Sequence, residues 1–214
     1  NIALDFSREQ RKILLDKVLP YIDHIESIYF AGGEPLIIDE HYTILNRLLE
    51  KNKTDVEIRY STNLTQLDYK GISVTKLWNK FKNIYVGASI DGHGSKLEYT
   101  RHGASWKTIE SNLLSVRKES PHVNISITPV ISLLSVQSIV EMQQMWYNHN
   151  IIHLDDYRYI TVSGKDHFSL QMLPAEFKLK VKEIINDHIE WLKSVNSSLE
   201  TQEFWQGVIR FMFL

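Results

Sequence analysis

Four residues in a row, Gly32-Gly33-Glu34-Pro35, close a short apolar run at Ile28-Tyr29-Phe30. Paired glycines let a backbone turn sharply and present its N–H groups to something bound close by. Pro35 removes one donor and fixes the exit angle. Glu34 is then left at a strand's C-terminal end, where α/β proteins place their ligands. Such a turn can hold an ammonium group through the carboxylate and neighbouring carbonyls. It can equally be a tight corner that binds nothing.

Other polar groups stand at the ends of the later apolar runs: Ser61-Thr62-Asn63, Ser89-Ile90-Asp91-Gly92, Thr128 to Ser132, and Asp155 to Arg158. Arg101-His102-Gly103 follows Asp91-Gly92. An arginine in such a loop can take a carboxylate bidentately. Each group also has a plainer reading: Asn63 and Asp91-Gly92 are good turn formers, and most arginines are surface residues. His93 and His102 are candidates for acid–base or metal work. Asp155 or Asp156 is a candidate general base, although neighbours on a strand face opposite ways. The nine histidines show no HxH or HExxH spacing, so the sequence names no metal ligand.

Positioning these residues requires strands. Five segments rich in β-branched and aromatic residues read as buried strands: Ser27–Ala31, Val56–Ser61, Ile84–Ile90, Val123–Val130 and Ile152–Ile160. Helical patterns fall at Ser7–Ile22, Tyr42–Lys51, Ser73–Phe81, Trp106–Glu119 and Ser135–Asn148. This alternation has the rhythm of βα units and predicts a mostly parallel, right-handed sheet. All strand C-termini of such a sheet lie on one side, so their polar residues converge. A doubly wound open sheet and a (β/α) barrel both satisfy the rhythm. Beyond Ile160 the pattern changes to a turn at Ser163-Gly164-Lys165-Asp166. A helix from Pro174 to Val195 and a last helix over Glu200–Leu214 follow.

Composition narrows the function classes. Net charge is -2, which argues against a nucleic-acid surface. No run approaches the ~20 apolar residues that cross a bilayer, and no signal peptide is visible. A cytoplasmic, non-membrane protein is expected. The chain has no cysteine, which excludes disulfides, thiolate ligands and a cysteine nucleophile within it. No P-loop, GxGxxG or serine elbow is present.

The order Gly32-Gly33-Glu34-Pro35, Thr62-Asn63, Ser89-Ile90-Asp91-Gly92, then Arg101 and Gly103, resembles the radical S-adenosylmethionine superfamily, in particular its SPASM/twitch-type subgroup. The resemblance covers about Ile28 to Ile160. It implies an α/β fold, a partial (β/α) TIM-like barrel with mostly parallel strands plus C-terminal helices. Residues 1–162 would form the core, and 163–214 a helical segment leading to a twitch or SPASM extension.

By this resemblance the glycine turn with Glu34 and Pro35 meets the cofactor's methionine amine. Ser89 holds the ribose hydroxyls, Arg101 the methionine carboxylate, and backbone near Ile127 and Thr128 the adenine. Asn63 and Asp91 belong to the same site. The fifth-strand motif of the subgroup matches loosely at Thr128-Pro129-Val130-Ile131-Ser132, without its usual asparagine.

The implied cofactors are S-adenosylmethionine and a [4Fe–4S] cluster that cleaves it reductively to a 5′-deoxyadenosyl radical. The implied partners are a peptide or protein substrate and an electron donor such as flavodoxin or ferredoxin. The family's CxxxCxxC loop and first strand are expected upstream of Asn1, so the cluster ligands are not in this chain. Two other readings stand beside this one. One is a cluster-less, catalytically inactive binding or interaction domain on the same fold. The other is an ordinary (β/α) barrel enzyme working through Asp155 or Asp156.

Overall fold

The computed structural model describes residues 13, 15–161 and 167–214. Residues 7–12 and 14 of the expected helix over Ser7–Ile22 fall outside them, and so does the whole turn at Ser163 to Asp166. Residues 15–18 are helical and pass into a 3-10 turn, Leu19–His24. The elements then follow in chain order. They are β1 (Ser27–Phe30), α1 (Asp39–Glu50), β2 (Glu57–Thr62), β3 (Asp68–Tyr69), β4 (Ile72–Ser73), α2 (Val74–Trp78), β5 (Asn83–Ala88), α3 (Gly94–Thr100) and α4 (Trp106–Glu119). After these come β6 (Asn124–Ile127), β7 (Val130–Ile131), α5 (Val136–Asn148), β8 (Ile160–Thr161), α6 (Ala175–Ser194) and α7 (Leu199–Met212). The chain divides into two compact units, one of Asn1–Ala88 with Thr108–Ser126, the other of Ser89–Lys107 with Ile127–Leu214.

The first unit holds the sheet, in the order β1-β2-β5-β6. β1 and β2 pair in parallel, as do β2 and β5. The strands were expected to be buried throughout; instead they alternate. Ile58, Tyr60 and Thr62 of β2 and Ile84, Val86 and Ala88 of β5 are buried, while Arg59 and Tyr85 between them are exposed. Period-two side chains put one set on the core face and the other outside. Leu45 and Leu48 of α1, Trp78 of α2 and Leu113 and Val116 of α4 are buried too. Helix α1 starts at Asp39, earlier than its apolar periodicity suggests. Asp39 and Glu40 sit in the first turn, where their charge complements the helix dipole. A small hairpin, β3 with β4, turns through Lys70-Gly71, both with positive φ.

The second unit is built on helices. Its core joins Ile131, Ile139 and Val140 to Ile185, Ile189, Leu192, Trp205, Val208 and Met212. The expected strand Val123–Val130 is split into β6 and β7. Pro129, at the break, has no N–H to give a ladder. Its carbonyl still accepts from Ile160 N at 2.9 Å. The expected strand Ile152–Ile160 is mostly not one. Leu154–Asp156 is a 3-10 turn, closed by Asp156 Oδ2 accepting from His153 N at 3.3 Å. Only Tyr157, by a single bridge to Ile127, and β8 are paired. Helix α3 leaves no periodic signal, because Leu97 is its one buried residue. Asn52, Asn150 and Asn196, each just past a helix, take positive φ near 55°. Asparagine tolerates that left-handed stop better than most residues.

Candidate functional site

In the first unit the turn after β1 is built as its composition demands. Gly32 and Gly33 have φ of 89° and 56°, a left-handed backbone that side chains resist. A Cβ at either position would meet nothing within 4 Å, so conformation and not crowding requires glycine there. Both residues are exposed. Pro35 and Leu36 are buried in a short 3-10 turn that anchors the exit. Tyr42 of α1 donates its hydroxyl to the Leu36 carbonyl at 2.8 Å. Burial, aided by Asp68, Tyr69 and Glu34, pushes the Tyr42 hydroxyl up to about 12. It therefore stays protonated and keeps donating.

Glu34 is the hub of this turn. Its Oε1 accepts from Leu36 N at 3.2 Å and from Thr62 Oγ1 at 2.6 Å, and its Oε2 accepts from Asn63 N at 2.7 Å. The carboxylate thereby ties the end of β1 to the end of β2, which parallel pairing places side by side. Thr62 is buried and accepts in turn from Leu64 N at 3.0 Å. Asn63 folds back on itself, its Oδ1 accepting from Thr65 N at 2.9 Å and Thr65 Oγ1 at 2.6 Å. Leu64, fully buried, is held at φ 56°. A bulky residue in that region is strained, and such strain clusters where a site is held in shape.

In the second unit Asp91 plays the matching part. Arg101 donates from Nε and Nη2 to Asp91 Oδ2, both at 2.8 Å. Val130 N donates to Asp91 Oδ1 at 2.8 Å. Ser89 Oγ lies 3.5 Å from Thr128 Oγ1. Scattered in sequence, these residues thus meet in two polar contacts, Asp91 with Arg101 and Val130, and Ser89 with Thr128. Next to Asp91, Gly92 packs on α5. A Cβ at Gly92 would overlap Ser138 Oγ and come to 2.8 Å of Ser138 Cβ. Ser138 Oγ also accepts from His93 N at 3.0 Å.

His93 pairs with a carboxylate of α5. Its Nε2 is 3.0 Å from Glu141 Oε2, which also accepts from Lys96 Nζ at 2.7 Å. Burial opposes the charge on Glu141, yet bonds from Lys96, His93 and Gln137 hold its carboxyl below the usual range. His102 is exposed. Asp155 and Asp156 sit on the 3-10 turn and not on a strand. Thr62 was visible in the sequence as part of the Thr62-Asn63 pair, whereas Ser138, the one serine within α5, carried no signal. Among the described residues no group of three or more His, Cys, Asp or Glu could hold a metal ion. No helix among them is long and apolar enough to cross a membrane.

No family model and none of the curated proteins matches this chain. Solved structures do. One, described as "Native anSMEcpe with bound AdoMet", aligns with a TM-score of 0.59 at 15% identity over 91% of this chain and 56% of its own. A second, "Native anSMEcpe with bound AdoMet and Cp18Cys peptide", aligns with a TM-score of 0.55 at 17% identity over 89% and 54%. At such identity the likeness is one of fold. The chain spans about half the length of those structures.

Proposed function

We propose that this chain is the S-adenosylmethionine-binding core of a radical S-adenosylmethionine enzyme of the SPASM/twitch type, acting on a peptide or protein. Its sheet would then be part of a (β/α) barrel. The observation that carries this reading is the placement of the motifs. In a fold like that of structures holding AdoMet, Gly32-Gly33-Glu34-Pro35, Thr62-Asn63 and Ser89-Ile90-Asp91-Gly92 each stand where a strand ends, and Arg101 follows the next helix.

Taken unit by unit, the residues present carry the chemistry this cofactor needs. Gly32 and Gly33 leave their backbone exposed with open space above it, and their carbonyls suit an ammonium group. A carboxylate has about four acceptor sites; Glu34 fills three within the chain and keeps one for the amine. A guanidinium has about five N–H donors; Arg101 gives two to Asp91 and has others for the methionine carboxylate. Ser89 would hold the ribose hydroxyls, and the backbone near Thr128, whose hydroxyl lies 3.5 Å from that of Ser89, would meet the adenine. Asn63 and Pro35 hold the turn, and Asp91 holds Arg101. When bound, the cofactor supplies a sulfonium-activated 5′-deoxyadenosyl group. The partners in this reading are a peptide substrate and an electron donor such as flavodoxin or ferredoxin.

The residues present do not fit a [4Fe–4S] cluster. Such clusters need thiolates, and this sequence has no cysteine. No step of the reductive cleavage is assigned to these residues.

Calorimetric titration with S-adenosylmethionine tests the proposal. Saturable binding is expected, weakened about 10- to 100-fold in Arg101→Ala for a lost charge-assisted contact. Binding of adenosine as tight as that of the full cofactor, or an unchanged affinity in a folded Arg101→Ala variant, would count against it. A second reading, a catalytically inactive binding module, is favoured by one observation. Glu34 already has partners in Leu36, Thr62 and Asn63, and Arg101 in Asp91, as purely structural polar groups would. It predicts no cofactor binding by the folded protein.

A further inference from the structure

Residues 157–161 run beside 127–131. Arg158 N donates to the Ile127 carbonyl at 2.7 Å, and Ile160 N to that of Pro129 at 2.9 Å. Extended backbone sends Tyr157 and Tyr159 to the same side. Their rings stack with centroids 5.6 Å apart, and Tyr159 stacks on Phe204 of α7 at 4.4 Å. The three rings form one wall of a cavity of about 600 Å³ within the second unit. That is the size of a small-molecule or side-chain pocket.

Asp155 and Glu200 line the same cavity. Both are exposed, and among the described residues neither carboxylate has an ion-pair partner. Arg158 lines it too, but its Nη1 donates to the carbonyls of Asp155 at 2.6 Å and Tyr157 at 3.0 Å. Those bonds fasten the guanidinium to its own turn. Arg158 keeps its charge, so the lining carries two carboxylates and one cation, a net negative balance that favours a basic ligand over an acidic one. A lysine or arginine side chain fits both features. Its methylene stem packs on apolar surface while its charged head reaches a carboxylate.

We propose that this cavity receives a basic side chain of the peptide substrate. The inference rests on the peptide-modifying reading above, and none of these residues belongs to the polar groups assigned to the cofactor.

Amide-resolved NMR titration of the whole chain tests it, with the capped peptide acetyl-Gly-Ser-Lys-Ser-Gly-amide and its norleucine and glutamate counterparts as probes. The lysine peptide should shift the amides of Tyr157, Tyr159 and Phe204 in the millimolar range. The double variant Asp155→Asn with Glu200→Gln, conservative at two exposed positions, should weaken it about tenfold or more. Equal binding of the norleucine peptide, or no change in the double variant, overturns the inference. Cofactor titration of the same samples separates the two claims. Retained cofactor binding without lysine discrimination sinks the cavity assignment alone. Lysine discrimination without cofactor binding sinks the enzyme reading and leaves the cavity's chemistry standing.

Discussion

Replacing Glu34 by glutamine isolates what its charge does. The carboxylate accepts three hydrogen bonds, from Leu36 N, Thr62 Oγ1 and Asn63 N. Glutamine keeps one acceptor oxygen. If that oxygen takes the place of Oε1, the new NH₂ group faces the Asn63 N–H. If the amide is reversed, the NH₂ faces Leu36 N–H, while the Thr62 hydroxyl can rotate to accept. Either way one N–H loses its charge-assisted partner, worth about 1.5–3 kcal/mol. Glu34 is half-buried, which favours the lower part of that range. An expected loss of about 2 kcal/mol corresponds to roughly 1 M in the urea midpoint for a slope near 2 kcal/mol/M. Thr62→Val removes the 2.6 Å partner, so a double-mutant cycle of the two changes should show about 1 kcal/mol of coupling. Cofactor affinity, measured on the same Glu34→Gln sample, should fall about tenfold or more from the lost fourth acceptor site. Additive unfolding energies, or a midpoint shift under about 0.2 M, would refute the picture of Glu34 as the tie between β1 and β2.

Two further outcomes follow from the geometry. Gly92→Ala, at a φ of 152° that side chains resist, should destabilise by about 1–3 kcal/mol through its clash with Ser138, and should cost less in a Ser138→Gly background than in the native one; equal costs by circular dichroism melting would mean the clash is not the cause. Burial lowers His41 from 6.5 to about 3 and His188 from 6.5 to about 4, so both are neutral when folded. Each folded value is depressed, so the unfolded chain binds the extra proton and stability falls as pH drops below 6.5 toward those values. Each histidine should remove about 2 kcal/mol between pH 7 and pH 5, and His188→Gln should flatten the pH dependence of the urea midpoint; an unchanged slope would contradict it.

Much of the site's chemistry was legible in order along the chain. The paired glycines announced a sharp turn, and Gly32 and Gly33 make it with a left-handed backbone. Helices with a clear apolar stripe were placed within a few residues, as at Trp106–Glu119. Failures fell where local signals compete. Ile152–Ile160 is apolar and β-branched enough to read as a strand, but Asp155-Asp156 turns it into a 3-10 segment and leaves only short pairing. Helix α3 is too polar to show a period. Closure into a barrel is not a property that periodicity can carry, since it depends on which strands become neighbours.

The sequence by itself determined which residue types stand at strand ends, that no thiolate is available, and that the backbone turns sharply at Gly32-Gly33. These are local properties, fixed by composition and by steric limits on single residues. Only the tertiary structure decided what those polar groups face. It turned Glu34 from a free carboxylate into a clasp on Thr62 and Asn63, and paired Asp91 with Arg101 and Val130. It also made Gly92 necessary through a serine far along the chain. Partners so distant in sequence meet only when packing brings their elements together, and no spacing along the chain encodes that encounter.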